Sequence, residues 1–222
     1  MAKFKLSVST NPPKIDDLFN YINKVNSSDA DCIHCDVMDG RFVPNFSCSP
    51  GLAKQIRKET TLPLDVHLMV QKPSKCYLRR FLRLKPYTLA IHYEAYSDKK
   101  VLIKRLQFIY KKGARAGLVI NPDTQVKDVV DVLPYCQFVV IMSVYPGQSG
   151  QKLIPACLDK IKQVRAFYKK LGINDVEVEI DGGINDTNIE QVVKLGYDMV
   201  VMGSYLYKHP DFNLAVKNIK SL

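Results

Sequence analysis

Three short runs of the sequence carry ionisable side chains where a buried strand should be apolar. His34, Asp36 and Met38 alternate in Cys32-Ile33-His34-Cys35-Asp36-Val37-Met38. Asp65, His67 and Met69 alternate in Leu64-Asp65-Val66-His67-Leu68-Met69, and Glu177, Glu179 and Asp181 alternate in residues 176–181. Successive side chains on a strand point to opposite faces, so each set shares one face. Ile33, Cys35 and Val37 take the other face and suit packing under helices. A parallel strand covered on both sides reads as an almost unbroken apolar run. A carboxylate or imidazole there is unfavourable unless it is paired or bound to a metal. His34, Asp36, His67 and Asp181 together offer two imidazoles and two carboxylates. That set suits one divalent ion, Zn2+, Fe2+, Mn2+ or Co2+, with positions open to substrate. Any one of the four alone reads more readily as a hydrogen-bonded core residue or a turn cap; the set of four at one barrel mouth favours a metal site. His92 and Glu94 form a similar pair, and a place beside the ligands or in the pocket wall is expected for them. Asp39, before Gly40, suits a turn.

A second chemistry is written in small residues. Tyr145-Pro146-Gly147-Gln148-Ser149-Gly150, Asp181-Gly182-Gly183 and Gly203-Ser204 are three loops in which backbone N–H groups can approach a phosphate closely. One such loop is a weak signal. Three at neighbouring positions of one fold are much stronger.

These groups converge only if the chain folds so that the ends of different strands meet. Short β-branched runs alternate with longer amphipathic ones. Strands are expected at residues 6–9, 32–38, 64–70, 87–93, 117–120, 138–144, 176–181 and 198–202. Helices are expected at 15–25, 51–58, 74–84, 98–112, 124–133, 155–171, 186–194 and 212–219, with Asp98 near the N-cap of the fourth. Strict alternation implies parallel strands with right-handed crossovers. Eight near-equal units in 222 residues favour a single (β/α)8 barrel domain over 1–222, rather than an open doubly wound sheet. Barrel active sites lie at the C-terminal ends of the strands, with phosphate sites commonly in the loops after strands seven and eight.

Composition narrows the alternatives. No run of 18 apolar residues is present, so no transmembrane helix is expected. Met1-Ala2-Lys3-Phe4-Lys5 lacks the apolar stretch of a signal peptide, so a cytoplasmic location follows by default. The six cysteines then read as reduced thiols. Cys32 and Cys35 spell C-x-x-C, but on a strand they point to opposite faces. The net charge is +10, and Lys99-Lys100, Lys104-Arg105, Lys111-Lys112 and Arg115 form a basic stretch. No nucleic-acid module accompanies it, so it reads as a solvated helix face. A positive field also favours approach of an anionic phosphate.

The run from His34 to Asn45 closely resembles the signature of the ribulose-phosphate 3-epimerase family. So do Leu64 to Met69, Met142-Ser143-Val144-Tyr145-Pro146-Gly147, and Glu179-Ile180-Asp181-Gly182-Gly183-Ile184-Asn185. The resemblance covers nearly the whole chain, in order. It implies a phosphate-binding (β/α)8 barrel with one divalent metal per subunit on His34, Asp36, His67 and Asp181. It also implies that Asp36 and Asp181 are the acid/base pair of an epimerisation at C3 through an enediolate, interconverting D-ribulose 5-phosphate and D-xylulose 5-phosphate in the pentose phosphate pathway. Substrate contacts are implied for Ser7, His67, Gly147, Gln148, Ser149, Gly150, Gly182, Gly183, Gly203 and Ser204. Met38, Met69 and Met142 are implied to line the reacting centre, and a homo-oligomer is usual for the family.

Two stretches depart from the family pattern. The phosphate loop, usually Pro-Gly-Phe-Gly-Gly-Gln, is here Pro146-Gly147-Gln148-Ser149-Gly150-Gln151. The usual Ser-Ile-Leu is here Ser7-Val8-Ser9, followed by Thr10-Asn11-Pro12-Pro13. Ser7 aligns best by the strand pattern, and Ser9 stays open. These changes bear on the sugar more than on the reaction. A hexulose 6-phosphate such as allulose 6-phosphate is the alternative substrate. Metal-free phosphate barrels, such as decarboxylases or tryptophan-pathway isomerases, lack the His-x-Asp and Asp-x-His-x-Met strands. A non-catalytic nucleic-acid binder gives no reason for four ligand-type side chains in one barrel mouth.

Overall fold

β-Strands and helices alternate along the chain as the two hydrophobic periods require. The computed structural model describes residues 4–11 and 15–222, so Pro12 and Pro13 and the first three residues lie outside it. The strands are β1 (Lys5–Ser9), β2 (Cys32–Met38), β3 (Leu64–Met69), β4 (Thr88–His92), β5 (Arg115–Ile120), β6 (Phe138–Met142), β7 (Glu177–Asp181) and β8 (Met199–Met202). Each pairs in parallel with the next, and β8 pairs with β1, closing the barrel. The helices are α1 (Leu18–Asn26), α2 (Pro50–Glu59), α3 (Lys75–Leu82), α4 (Lys99–Lys111), α5 (Lys160–Lys170), α6 (Ile189–Lys194), α7 (Ser204–Lys208) and α8 (Phe212–Lys220). Ser49, Ser74, Asp98 and Asp211 start α2, α3, α4 and α8, each accepting a hydrogen bond from a backbone N–H of the first turn. Such caps satisfy donors that a helix leaves unpaired. The outer face of α4 carries Lys100, Lys104 and Lys111 in solvent, as expected for the basic stretch. No helix of the described residues is long and apolar enough to cross a membrane.

One element differs from expectation. The connection from β5 to β6 holds no α-helix over 124–133, only 3₁₀ turns at Val126–Val129 and Leu133–Tyr135. Pro134 disfavours helix at the residue before it. Val126, Val129, Val130 and Val132 lose χ1 freedom in a helix. The segment is pinned instead by Lys160, whose buried Nζ donates to the carbonyls of Asn121, Pro122 and Thr124, each at 2.8 Å. Short α7, between β8 and α8, was not foreseen.

Alternation sorts every strand into an outer and an inner face. Outward residues such as Ile33, Cys35, Val37, Leu68, Leu89 and Ile141 pack against the helices in the main core. Cys32 instead joins the separate cluster inside the barrel, so the two cysteines do face opposite ways, and all six are free thiols. The barrel interior is divided. One side is apolar, with Ala90, Val119, Phe138, Val140 and Met199 packed together. The other side is a polar column rising from a base where Lys5 Nζ meets Glu177 at 2.7 Å and Tyr87 donates to the same carboxylate at 2.8 Å.

The apolar side leaves no room for growth. Ala90 and Gly117 are register partners, and a Cβ on Gly117 would lie 2.6 Å from Ala90 Cβ. Gly117→Ala should therefore destabilise the barrel by about 1–3 kcal/mol through overpacking, measured as a lowered urea midpoint with an unchanged m-value. An unaltered midpoint would mean that the interior is looser than its contacts indicate.

Candidate active site

Register brings the first three ionisable groups together. β2 and β3 pair with His34 opposite Asp65 and Asp36 opposite His67. Asp181, the last residue of β7, reaches in from across the barrel. His34 Nε2 lies 3.2 Å from Asp36 Oδ1 and 3.6 Å from Asp181 Oδ2. His67 Nδ1 lies 3.2 Å from each of the same two oxygens. One donor atom from each residue therefore sits within 4.8 Å of all the others. Ligands about 2.0–2.2 Å from a tetrahedral ion are about 3.3–3.6 Å apart along each edge, so the observed separations fit one ion. All four side chains that the sequence selected as metal ligands meet at this point.

The second nitrogen of each histidine is already occupied. His34 Nδ1 lies 2.5 Å from Asp65 Oδ2, which also accepts from Ser7 Oγ at 2.9 Å. A carboxylate on the far nitrogen orients a ligating imidazole and raises its basicity. Burial opposes a charge on His34, but Asp65 and Asp36 outweigh it and hold its pKa well above the ordinary value. His67 is likewise raised against burial by Asp181 and Asp36. Asp36 is buried too, yet the two imidazoles hold its carboxyl far below the usual range.

His67 Nε2 meets His92 Nε2 at 2.8 Å, and His92 Nδ1 faces Glu94 Oε2 at 3.3 Å. Burial, together with the neighbouring His67, lowers the His92 pKa to about 4. A neutral His92 then donates from Nδ1 to Glu94 and accepts at Nε2 from His67, which leaves His67 Nδ1 free for an ion. Glu94 is fixed in turn by Asn121 N–H at 2.8 Å and by the Thr124 hydroxyl. His92 and Glu94 thus stand beside the four-residue cluster. Asp39 caps its own turn, accepting from the N–H groups of Arg41 and Phe42.

Glu179, on the same face as Asp181, is fully buried. Burial and the nearby Asp65 charge push its pKa well above normal. Neither of its oxygens nor Asp65 Oδ1 has a hydrogen-bond partner among the described residues. His34, Asp65 and Glu179 also lie within 4.8 Å of one another. His34 Nδ1 is already engaged by Asp65 there, so this lower set reads as a support for the upper one. Sequence alternation places Asp65 and Glu179 on the right face, but no role was assigned to them.

Above the ligands opens a cavity of about 520 Å3, within the range of small-molecule sites. Asp36, Asp181, Met38, Met69 and Met142 line its floor. Gly147, Gln148, Ser149, Gly150, Gly182, Gly183, Gly203 and Ser204 line its rim, as the sequence suggested. Gly183 has φ +68°, and a Cβ there would collide with the backbone of Leu153, so only glycine fits. Gln151 Nε2 braces the loop by donating to the carbonyls of Tyr145 and Gln148 at 2.7 and 2.9 Å. Asn45 Nδ2 ties the same loop to the β2 side through Gly147 O at 2.7 Å.

Two expected substrate contacts lie elsewhere. Ser7 is fully buried one layer lower on Asp65, because β1 presents it two residues below the strand end. Ser9 lines the cavity and donates to Asp36 Oδ2 at 2.9 Å. His67 is fully buried among the ligands and is not part of the cavity wall.

Known proteins show the family to which the chain is similar. The chain matches the family described as "Ribulose-phosphate 3 epimerase family" over residues 5–207. A protein of Bacillus subtilis (strain 168) named ribulose-phosphate 3-epimerase is 38% identical over 203 residues, covering 91% of this chain and 92% of its own. One of the same name from Aquifex aeolicus is 37% identical, with 87% and 85% covered. Among solved structures, 3-hexulose-6-phosphate synthase from Salmonella typhimurium superposes with a TM-score of 0.69 at 13% identity, covering 98% of this chain and 97% of that one. At that identity it supports the barrel fold alone.

The electrostatics give a measurable consequence. Without an ion, the raised His34 and His67 pKa values favour protonated imidazoles, and an ion must displace those protons. Titrating metal-free protein with Zn2+ at pH 7 should release about one to two protons per ion, with affinity rising as pH rises through the two imidazole pKa values. Calorimetry in buffers of different ionisation enthalpy reads this directly. Binding with no proton release would mean that both imidazoles are already neutral before the ion arrives.

Proposed function

The chain belongs to the ribulose-phosphate 3-epimerase family, and we propose that it interconverts D-ribulose 5-phosphate and D-xylulose 5-phosphate by inverting C3. The observation that carries this reading is the pair of carboxylates, Asp36 from β2 and Asp181 from β7, both lining the cavity floor from different sides of the barrel. Inversion next to a ketone needs a base on one face of the carbon and an acid on the other. Two aspartates set apart in this way supply both.

The donor set suits a divalent ion, which His34, Asp36, His67 and Asp181 would hold. When bound, it would act as a Lewis acid on the ketone and its neighbouring hydroxyl and make the C3 proton acidic enough for a carboxylate to remove. Asp36 takes the proton on one face while a protonated Asp181 delivers one on the other, and the roles exchange in the reverse direction. Ser9 orients Asp36 by donating to Oδ2, leaving Oδ1 toward the histidines. Met38, Met69 and Met142 give the reacting carbon an apolar wall that limits water. The glycine loops at 147–150, 182–183 and 203–204 receive the phosphate at the opposite end, and its fixed position sets C3 between the aspartates.

Asp181→Asn should lower kcat by about 10²–10⁴-fold and abolish exchange of the C3 proton with solvent, with the circular dichroism spectrum unchanged. Chelation should remove the wild-type activity, and a divalent metal should restore it. Full activity in Asp181→Asn would end the assignment. Faster turnover of D-allulose 6-phosphate than of the pentulose phosphates would replace the substrate while keeping the chemistry.

A further inference from the structure

We infer that Lys208 is a substrate-recognition residue, placing a full positive charge on a phosphate cradle otherwise built from backbone and hydroxyl groups. This rests on the sugar-phosphate reading of the cavity.

Charge balance points to it first. Among the described residues lining the cavity, Lys208 is the only lysine or arginine. The carboxylates of Asp36 and Asp181 belong to the floor, where the ion they would hold offsets them. A phosphate dianion at the rim has no such counterion, and Asp186 adds another negative charge to the wall. Backbone N–H groups carry only partial charges. A lysine ammonium supplies a compact full charge with three donors.

Local structure aims it. Helix α7 leaves β8 through Gly203 and runs only from Ser204 to Lys208. Residues four apart on a helix share a face, and their side chains lean toward the N-terminus. Lys208 and Ser204 therefore share one face, and both line the cavity. Ser204 Oγ in turn lies 3.6 Å from where a Cβ on Gly150 would stand, so the loops after β6 and β8 meet beside that face. Pro210 fixes the helix end, because the residue before a proline is pushed into extended backbone. His209 is extended there, at φ −69° and ψ 131°. Its Nδ1 accepts from the Asp211 N–H at 3.1 Å. Lys208 is thus the last helical residue.

No group among the described residues competes for it. Lys5, Lys99, Lys194 and Lys220 are each tied to a carboxylate, and Lys160 to three carbonyls. Among the described residues Lys208 has neither an ion pair nor a hydrogen bond. The other described lysines lie outside the cavity lining; this one stands at the mouth.

The test compares wild type, Lys208→Ala and Lys208→Arg by epimerase kinetics on D-ribulose 5-phosphate and by calorimetric binding of inorganic phosphate. Loss of one charge-assisted contact should raise KM and the Kd for phosphate each by about tenfold. In the same variant kcat should stay within about twofold, because the contact is equal in ground and transition states. Lys208→Arg should recover most of the loss, and added salt should shrink the difference. Unchanged KM and phosphate Kd in Lys208→Ala would overturn the inference. So would a fall in kcat without a rise in KM, or weakened metal binding that Lys208→Arg does not repair. A wild type inactive on pentulose phosphate would sink the proposed function instead, and the phosphate Kd would still decide the role of Lys208.

Discussion

Two carboxylates and two imidazoles occupy one small volume nearly closed to water, and the surrounding structure answers to that constraint. The ligand atoms of Asp36 and Asp181 lie no more than 4.8 Å apart. At an effective dielectric near 20, two like unit charges at that distance repel by roughly 3–4 kcal/mol. A positive charge must lie between them. Protons on His34 and His67 can provide it, and so can a divalent ion that displaces those protons. The same atoms therefore serve two states, and the exchange between them ties metal affinity to pH.

Such a cluster keeps its geometry only if its members cannot turn away. The barrel holds the backbone, and two separate chains of hydrogen bonds hold the rings. Beneath His34 runs Asp65, which accepts from Ser7, with the buried Glu179 beside it. Beside His67 runs His92, then Glu94, then the 121–124 turn that Lys160 anchors from α5. Each chain ends by fixing which ring nitrogen faces the centre. The missing helix between β5 and β6 belongs to this scheme, because the irregular turn offers Glu94 a backbone N–H and a threonine hydroxyl. The divided interior follows as well: polar residues gather on the β1, β2, β3 and β7 side, and Phe138 and Val140 fill the remainder.

Much of this was legible in the sequence. Period-two alternation put His34, Asp36, His67 and Asp181 on inward faces, and their violation of the apolar rule marked the site. The glycine loops announced the rim. What alternation cannot give is height along the barrel. Ser7 and Ser9 share a face, and only the pairing of β1 with β2 decides that Ser9 reaches the cavity while Ser7 lies a layer lower. Likewise the meeting of His67 with His92 depends on the offset between β3 and β4, which a single strand does not encode. The 124–133 segment carries a helical pattern of valines, but Pro134 and the buried Lys160 outweigh it. Helix α7 is too short to leave a periodic signal, so Lys208 emerges only once the loops are seen together.

The most direct test of the shared-ion centre is anomalous scattering from crystals of protein purified without chelator, recorded at the absorption edge of the metal identified by elemental analysis. One peak per chain is expected about 2.0–2.3 Å from His34 Nε2, His67 Nδ1 and one oxygen each of Asp36 and Asp181. A centre with no peak, or a peak held by His34, Asp65 and Glu179 one layer lower, would contradict it.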